Sequence, residues 1–236
     1  ENLASGKYVK DVSFQIREGE VVGFAGLVGS GRSETMEALF GVSPREKGKL
    51  SINGAEIEIH NPKDAIRHKI AFATEDRKRS GLNLIGSIKE NITMVSLAEK
   101  ISKHGIIQDK KEGEVTEEYI KKLRIKTPNG DELVGNLSGG NQQKVVLGKW
   151  LVRNPKVILF DEPTRGIDIG AEVEIYQIMN ELKKKGVGVL FISSEMEEVL
   201  GMSDRILIFC DGRITGELSR EEANQENILK FATKYE

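Results

Sequence analysis

The sequence predicts an α/β domain in which a mostly parallel sheet core carries an antiparallel β subdomain and a helical subdomain. Three observations lead to this reading. After Arg153, short apolar strands alternate with helix-periodic runs, the pattern of a parallel sheet covered by helices. Before residue 87, strand signals come in pairs around Glu-Gly and Asn-Gly turns, which marks antiparallel pairing. From about Ser87 to Arg153 the sequence becomes charged and helix-periodic with few strand signals. The chain therefore divides into residues 1–86, the N-terminal part of the core with its β subdomain; residues 87–153, the helical subdomain; and residues 154–236, the C-terminal part of the core.

Taken in order, DVSFQIREGEVVGFAGL (11–27) reads as two strands joined by a turn at Glu18-Gly19, the second running straight into a glycine-rich loop. ETMEALFG (34–41) is a short helix closed by Gly41. GKLSINGAEIEI (48–59) is a second hairpin turning at Asn53-Gly54. Asn61-Pro62, a cap followed by proline, starts a helix before the strand IAFAT (70–74). The helical subdomain holds about three or four helices, and its run KKEGEVTEEYIKKLRIK (110–126) reads as a solvated helix face. Then follow strand VILF (157–160), a helix over 171–185, strand VGVLFI (187–192), a helix near 195–200, strand RILIF (205–209), a turn at Asp211-Gly212 and strand RITGEL (213–218). The closing run SREEANQENILKFATKYE (219–236) reads as a capped helix. There is no internal repeat and no low-complexity tract.

Composition bounds the function. Hydrophobic residues make up 38% of the 236, enough for a real core. With 35 Lys+Arg against 37 Asp+Glu and a net charge of -2, the chain lacks the basic footprint of a nucleic-acid binder, so no nucleic-acid partner is expected. The single Cys210 has no internal disulfide partner, and the three histidines have no metal-ligand spacing, which fits a reducing, cytosolic compartment. Apolar runs such as VVGFAGLVG (21–29) and GVGVLFI (186–192) fall short of the roughly 18 residues of a membrane helix. No secretory signal pattern is present, so membrane association is expected to go through a partner. The chain opens at Glu1 rather than at a methionine, directly before strand-like sequence, and a longer polypeptide is therefore expected.

Three stretches carry chemistry. In GLVGSGRSE (26–34), Gly26 and Gly31 have the spacing of the phosphate-binding pattern G-x-x-x-x-G-K-[ST], Ser33 closes it, and Arg32 stands where the lysine belongs. A strand that enters such a loop and leaves as a helix turns backbone N–H groups and the positive helix end toward one point. Gly26, Gly29, Ser30, Gly31, Arg32, Ser33 and Glu34 are thus candidate phosphate-site residues, with Ser33 also a candidate Mg²⁺ ligand. In VILFDEPT (157–164), a buried strand ends in Asp161, a candidate Mg²⁺ carboxylate, and Glu162, a candidate base for an attacking water. In NLSGGNQQK (136–144), Ser138 is a natural N-cap, and Gly139 and Gly140 leave the helix start bare enough to meet an anion. Each stretch alone also fits an ordinary glycine-rich or acidic turn; the combination is far more specific.

The order ALFG…LSGGNQQK…LFDEPTRGIDIGA resembles the nucleotide-binding domain of an ABC transporter over nearly the whole chain. The strings GLVGSGRSE, ATEDRKRSGL, LSGGNQQK, DEPTRGID and SSEMEEVLGMSDRI resemble the C-terminal half of the two-domain ATPases of bacterial ribose, xylose and galactose import. The resemblance implies a P-loop ABC-type ATPase fold, ATP and Mg²⁺ as cofactors, and a position on the cytoplasmic face of the cell membrane. It implies as partners the N-terminal ATPase half of the same chain and a second copy, a transmembrane permease docked around Glu75 to Gly86, and indirectly an external sugar-binding protein. It also implies head-to-tail pairing, in which Ser138, Gly139 and Gly140 serve a nucleotide held by the partner, Asp168 crosses the interface, and Tyr8 stacks on adenine.

The chain departs from the family's pattern at three positions. Arg32 replaces a slim ammonium with a wide planar fork. Glu75 stands where a glutamine is usual and adds negative charge beside a triphosphate. Ser194 stands where a histidine is expected and offers no imidazole to a γ-phosphate. The expectation is an energy-coupling ATPase domain whose own site turns over poorly and whose LSGG completes a partner's site. A non-hydrolytic regulatory half is the alternative. A soluble ABC ATPase of DNA repair or translation fits less well, because no sustained heptads separate the loop from LSGG and the charge is balanced.

Overall fold

This computed structural model describes Glu1–Tyr235. In chain order the elements are β1 (Leu3–Ser5), β2 (Val9–Val12), β3 (Val21–Gly26), α1 (Arg32–Phe40), β4 (Leu50–Ile52), β5 (Ala55–Ile57), α2 (Pro62–Arg67), β6 (Ile70–Ala73), α3 (Ile88–Thr93), β7 (Ser102–Lys103), β8 (Ile106–Ile107) and α4 (Asp109–Lys122). They continue with α5 (Gly139–Leu151), β9 (Val157–Asp161), α6 (Ile169–Lys184), β10 (Gly188–Ile192), α7 (Met196–Met202), β11 (Arg205–Cys210), β12 (Arg213–Ser219) and α8 (Gln225–Ala232). They fall into two compact units, one of Glu1–Phe72, Lys156–Glu162 and the residues from Asn180 on, the other of Ala73–Pro155 and Pro163–Met179. Compactness thus divides the chain at places other than residues 86 and 153.

An eight-stranded mixed sheet in the order β1-β2-β12-β11-β3-β10-β9-β6 organises the first unit. β3 lies between β10 and β11 and is parallel to both, and β9 is parallel to β10. These four strands are apolar runs because both of their faces are covered; Phe24, Phe160, Phe191 and Phe209 have no exposed surface. The pairing expected across Glu18-Gly19 does not form. Residues 13–17 make no strand, β2 pairs with β1 and β12, and β3 joins the parallel core. β2 exposes both of its middle residues whereas β3 buries five in a row, so the two suit different places in a sheet. The local signals elsewhere hold: Gly41 at φ 78° closes α1, Asn53 and Gly54 at φ 53° and 78° turn β4 into β5, and Asn61 and Asn224 cap α2 and α8.

The second unit is built around α5, in which every residue from Gln142 to Leu151 is buried. Its polar side chains are tied to backbone: Lys149 Nζ donates to Gly81 O at 2.5 Å, Lys144 Nζ to Arg124 O at 3.0 Å and Gln142 Nε2 to Val134 O at 3.2 Å. Burial holds the Lys149 ammonium down at about 8. The run 110–126 is solvated on one face only. On the other, Glu112 accepts from Thr93 Oγ1 at 2.7 Å and Tyr119 OH donates to Leu151 O at 2.9 Å, fixing α4 in place. The short strands β1, β7 and β8 lie outside the sequence reading, because two or three residues carry no periodicity.

Candidate functional site

Parallel register sets the site's edge in the first unit. Ile192 lies opposite both Phe24 and Asp161, and Phe209 lies opposite Gly26, so the loop after β3, the pair Asp161-Glu162 and the pair Ser193-Ser194 emerge along one line of strand ends. The loop is a tight cradle. Gly26, Gly29 and Gly31 take φ values of 148°, 80° and 98°. A Cβ at Gly26 would lie 2.5 Å from Phe209 O, and one at Gly31 would lie 2.2 Å from Tyr8 O. Ser30 N donates to Leu27 O at 3.1 Å, Gly212 N donates to Ser30 O at 2.9 Å, and Thr35 Oγ1 donates to Gly31 O at 2.6 Å. Ser30 Oγ is buried without a hydrogen-bond partner, a polar atom aligned with the loop and still to be satisfied.

The charged groups gather below this loop. Ser33 Oγ, on the first turn of α1, donates to Asp161 Oδ1 at 3.2 Å. Arg32 Nη1 donates to Ser193 O at 3.4 Å. Burial is the largest influence on Asp161 and holds its carboxyl up at about 6; Ser33 and Arg32 pull it down, and Glu162 and Glu37 push it up. Burial likewise lowers Arg32, against the opposing pull of Glu162, Asp161 and Glu34. Glu162 sits at φ 50°, its N–H donates to Ile192 O at 3.0 Å, and its Oε2 accepts from Ser194 Oγ at 3.1 Å. Tyr8 belongs to the same unit, with its carbonyl against Gly31, its ring partly exposed and Lys7 Nζ 4.7 Å above the ring. A donor-lined loop beside a buried carboxylate, a hydroxyl and a guanidinium can hold a polyanion together with a divalent cation.

The second unit collects the remaining candidates. Ser138 occupies the N-cap position of α5, but its hydroxyl makes no cap bond and instead accepts from Asn141 Nδ2 at 3.0 Å. Nor are the two glycines simply bare. A Cβ at Gly139 would lie 2.7 Å from Gly166 O, and one at Gly140 would lie 2.4 Å from Ala171 Cβ, so close packing requires glycine at both. Gly140→Ala is expected to destabilise the protein by about 1–3 kcal/mol through overpacking, read in a thermal melt. Asp168 Oδ1 accepts from Ala171 N at 3.0 Å and caps α6. Ser138, Gly140, Asn141 and Asp168 share the lining of one cavity of about 200 Å³ with Lys126 and Lys144.

Glu75 also lies in the second unit, where it forms an ion pair with Arg165. The sequence reading did not include Ser193, whose backbone carbonyl receives Arg32, Thr35, which fixes the carbonyl of Gly31, or Arg77, which holds the carbonyls of Arg165 and Gly166 at 2.7 and 2.9 Å. Backbone acceptors carry no residue-type signal, which is why these three have no mark in the sequence.

Solved structures share this fold. The ATP-binding cassettes MJ1267 and MJ0796, both of ABC transporters and the latter seen as a dimer bound to ADP and Pi, superpose with TM-scores of 0.81 and 0.79 at 23% and 22% identity. They cover 98% and 93% of this chain and 96% and 97% of their own. The ribose import ATP-binding protein RbsA of Clostridium perfringens (strain 13 / Type A) is 50% identical over 231 residues, 98% of this chain and 46% of its own length. A protein of Rhizobium meliloti (strain 1021) named for ribose/galactose/methyl galactoside import is 51% identical over 233 residues, 99% of this chain and 45% of its own. The chain thus spans a little under half the length of these relatives. The ABC transporter family itself matches residues 9–165, from β2 through the turn that follows β9, and this chain belongs to it.

Proposed function

We propose that this chain is the second, degenerate ATP-binding half of a sugar-import ABC transporter ATPase. Its own nucleotide site is weak, and its LSGG surface completes the site of a partner half. The observation that carries the reading is the Ser33–Asp161 contact of 3.2 Å at the foot of the glycine cradle. The residues fit the groups they are to hold. Gly26, Gly29, Ser30, Gly31 and Arg32 would cradle the phosphates of ATP, Ser33 and Asp161 would hold Mg²⁺, and Tyr8 would stack on adenine. Among the described residues no cluster of three or more His, Cys, Asp or Glu can hold a metal, so the cation would take its other ligands from phosphate and water. When bound, Mg²⁺ neutralises phosphate charge. Glu162 would orient the attacking water, with Ser194 Oγ already donating to its Oε2.

Weakness of this site follows from Arg32, a partly buried fork directed at Ser193 O. The short coverage of relatives named for sugar import supports a partner half in the same polypeptide and a second copy. A transmembrane permease and an external sugar-binding protein belong to the same proposal, as does a place on the cytoplasmic face of the membrane. Among the described residues no helix is long and apolar enough to cross a membrane, which fits attachment through a permease. The test is turnover by the full two-domain protein. Glu162→Gln is expected to lower phosphate release less than about twofold and to leave MgATP binding intact, while the corresponding change in the other half abolishes release. A tenfold or larger loss from Glu162→Gln means the loop of this half is itself catalytic.

A further inference from the structure

Arg77 takes no part in the steps above, yet its placement is one of the most constrained in the second unit. Asp76 caps the turn Arg77–Gly81 by accepting from Lys78 N and Arg79 N, each at 3.1 Å, and Ser80 Oγ donates to Asp76 O at 2.8 Å. Lys149 closes the other end at Gly81 O. From this fixed base the guanidinium spans two consecutive carbonyls, Nη1 to Arg165 O at 2.7 Å and Nη2 to Gly166 O at 2.9 Å. Nη2 also lies 2.8 Å from where a Cβ on Gly139 would be. One planar group therefore touches the start of α5 and the loop that leads to Asp168.

The geometry points to Arg77 as a positioning residue for the surface formed by Ser138, Gly139, Gly140 and Asp168. The inference rests on the reading that this surface meets a nucleotide held by another domain. A guanidinium that donates to neutral carbonyls gains less than one paired with a carboxylate, and Arg77 Nε is buried with no hydrogen-bond partner, so the placement is costly as a source of stability. What it supplies is register. Gly166 turns at φ 69°, Ile167 N donates to Thr164 O at 3.3 Å, and Asp168 then caps α6. Two parallel N–H bonds fix the plane and the height of that turn, which a single ammonium cannot do. The Glu75–Arg165 ion pair joins the same two segments, but it is exposed and adds little.

The experiment measures ATP turnover by the full two-domain protein carrying Arg77→Ala, Arg77→Lys or Arg165→Ala, together with melting temperature and amide exchange over residues 163–171. Arg77→Ala is expected to lower kcat about tenfold with KM for ATP within about twofold and to speed exchange over 163–171. Arg77→Lys recovers part of the loss, and Arg165→Ala stays within about twofold of wild type. Unchanged kcat in Arg77→Ala overturns the inference, as does a loss shared equally by Arg165→Ala and tracking the melting temperature. Ser138→Arg separates this from failure of the underlying reading: if it leaves turnover unchanged, the surface does not meet a nucleotide at all.

Discussion

Gly31→Ala is expected to lower the melting temperature by about 10 °C and to abolish nucleotide binding, whereas Gly29→Ala changes melting by only a few degrees. Both glycines are left-handed, at φ 98° and 80°, and a left-handed alanine costs about 1–2 kcal/mol at either. Space separates them. A Cβ at Gly29 meets nothing within 4 Å, but one at Gly31 lies 2.2 Å from Tyr8 O, 3.4 Å from Tyr8 C and 3.2 Å from Gly212 Cα. The backbone of Gly212 packs against the same carbonyl, since a Cβ on it would lie 2.5 Å from Tyr8 O. Gly212 is held in turn, its N–H donating to Ser30 O and its carbonyl accepting from Lys10 N, each at 2.9 Å.

The clash must therefore be relieved by opening the loop, for a total of about 3–5 kcal/mol, or some 10 °C in a chain of this size. Opening it also moves the N–H groups of the cradle and the Gly31 carbonyl that receives Thr35, so binding is lost along with stability. Paired thermal melts and fluorescent-nucleotide titrations of the two variants check this. If Gly31→Ala melts within about 2 °C of Gly29→Ala, the carbonyl of Tyr8 does not wall off a side chain at residue 31.

The contrast shows what a sequence can and cannot reveal. The glycine spacing, Gly41, Asn53-Gly54 and Asn61 are legible because each answers a local backbone demand, a left-handed φ or a bare helix start. The buried strands β3, β9, β10 and β11 were legible because burial on both faces leaves a continuous apolar run. What escaped depends on neighbours distant in the chain. Adjacency in sequence suggests a hairpin of β2 and β3, while the sheet sends one to its edge region and the other to its centre. The packing of Gly166 and Ala171 against Gly139 and Gly140 has no local trace in the sequence. Arg77 reaches a carbonyl 88 residues away, and no residue type announces a carbonyl.

Asp161→Asn is expected to stabilise the metal-free, nucleotide-free protein at pH 7 by about 1–3 kcal/mol while removing Mg²⁺-dependent nucleotide binding. Asp161 is 4% exposed, and burial, the largest influence, raises its carboxyl from 3.8 to about 6. The folded form thus keeps a proton that the unfolded chain has already released. Below about pH 4 both states are protonated and no penalty exists; between about pH 4 and 6 the unfolded carboxylate ionises first and stability falls as pH rises; above about 6 the penalty is complete. Asparagine carries none of it, so its advantage in EDTA should be large at pH 7 and small at pH 4. The donor from Ser33 and the charge of Arg32 offset the penalty only in part, which leaves a cation as the partner that would satisfy the carboxylate fully. Adding Mg²⁺ and ATP at pH 7 should therefore raise the melting temperature of the wild-type protein and leave that of Asp161→Asn unmoved. A variant that melts lower than wild type in EDTA at pH 7 would mean the carboxylate is already compensated within the fold, and the case for a divalent cation at Ser33 and Asp161 would lose its main support.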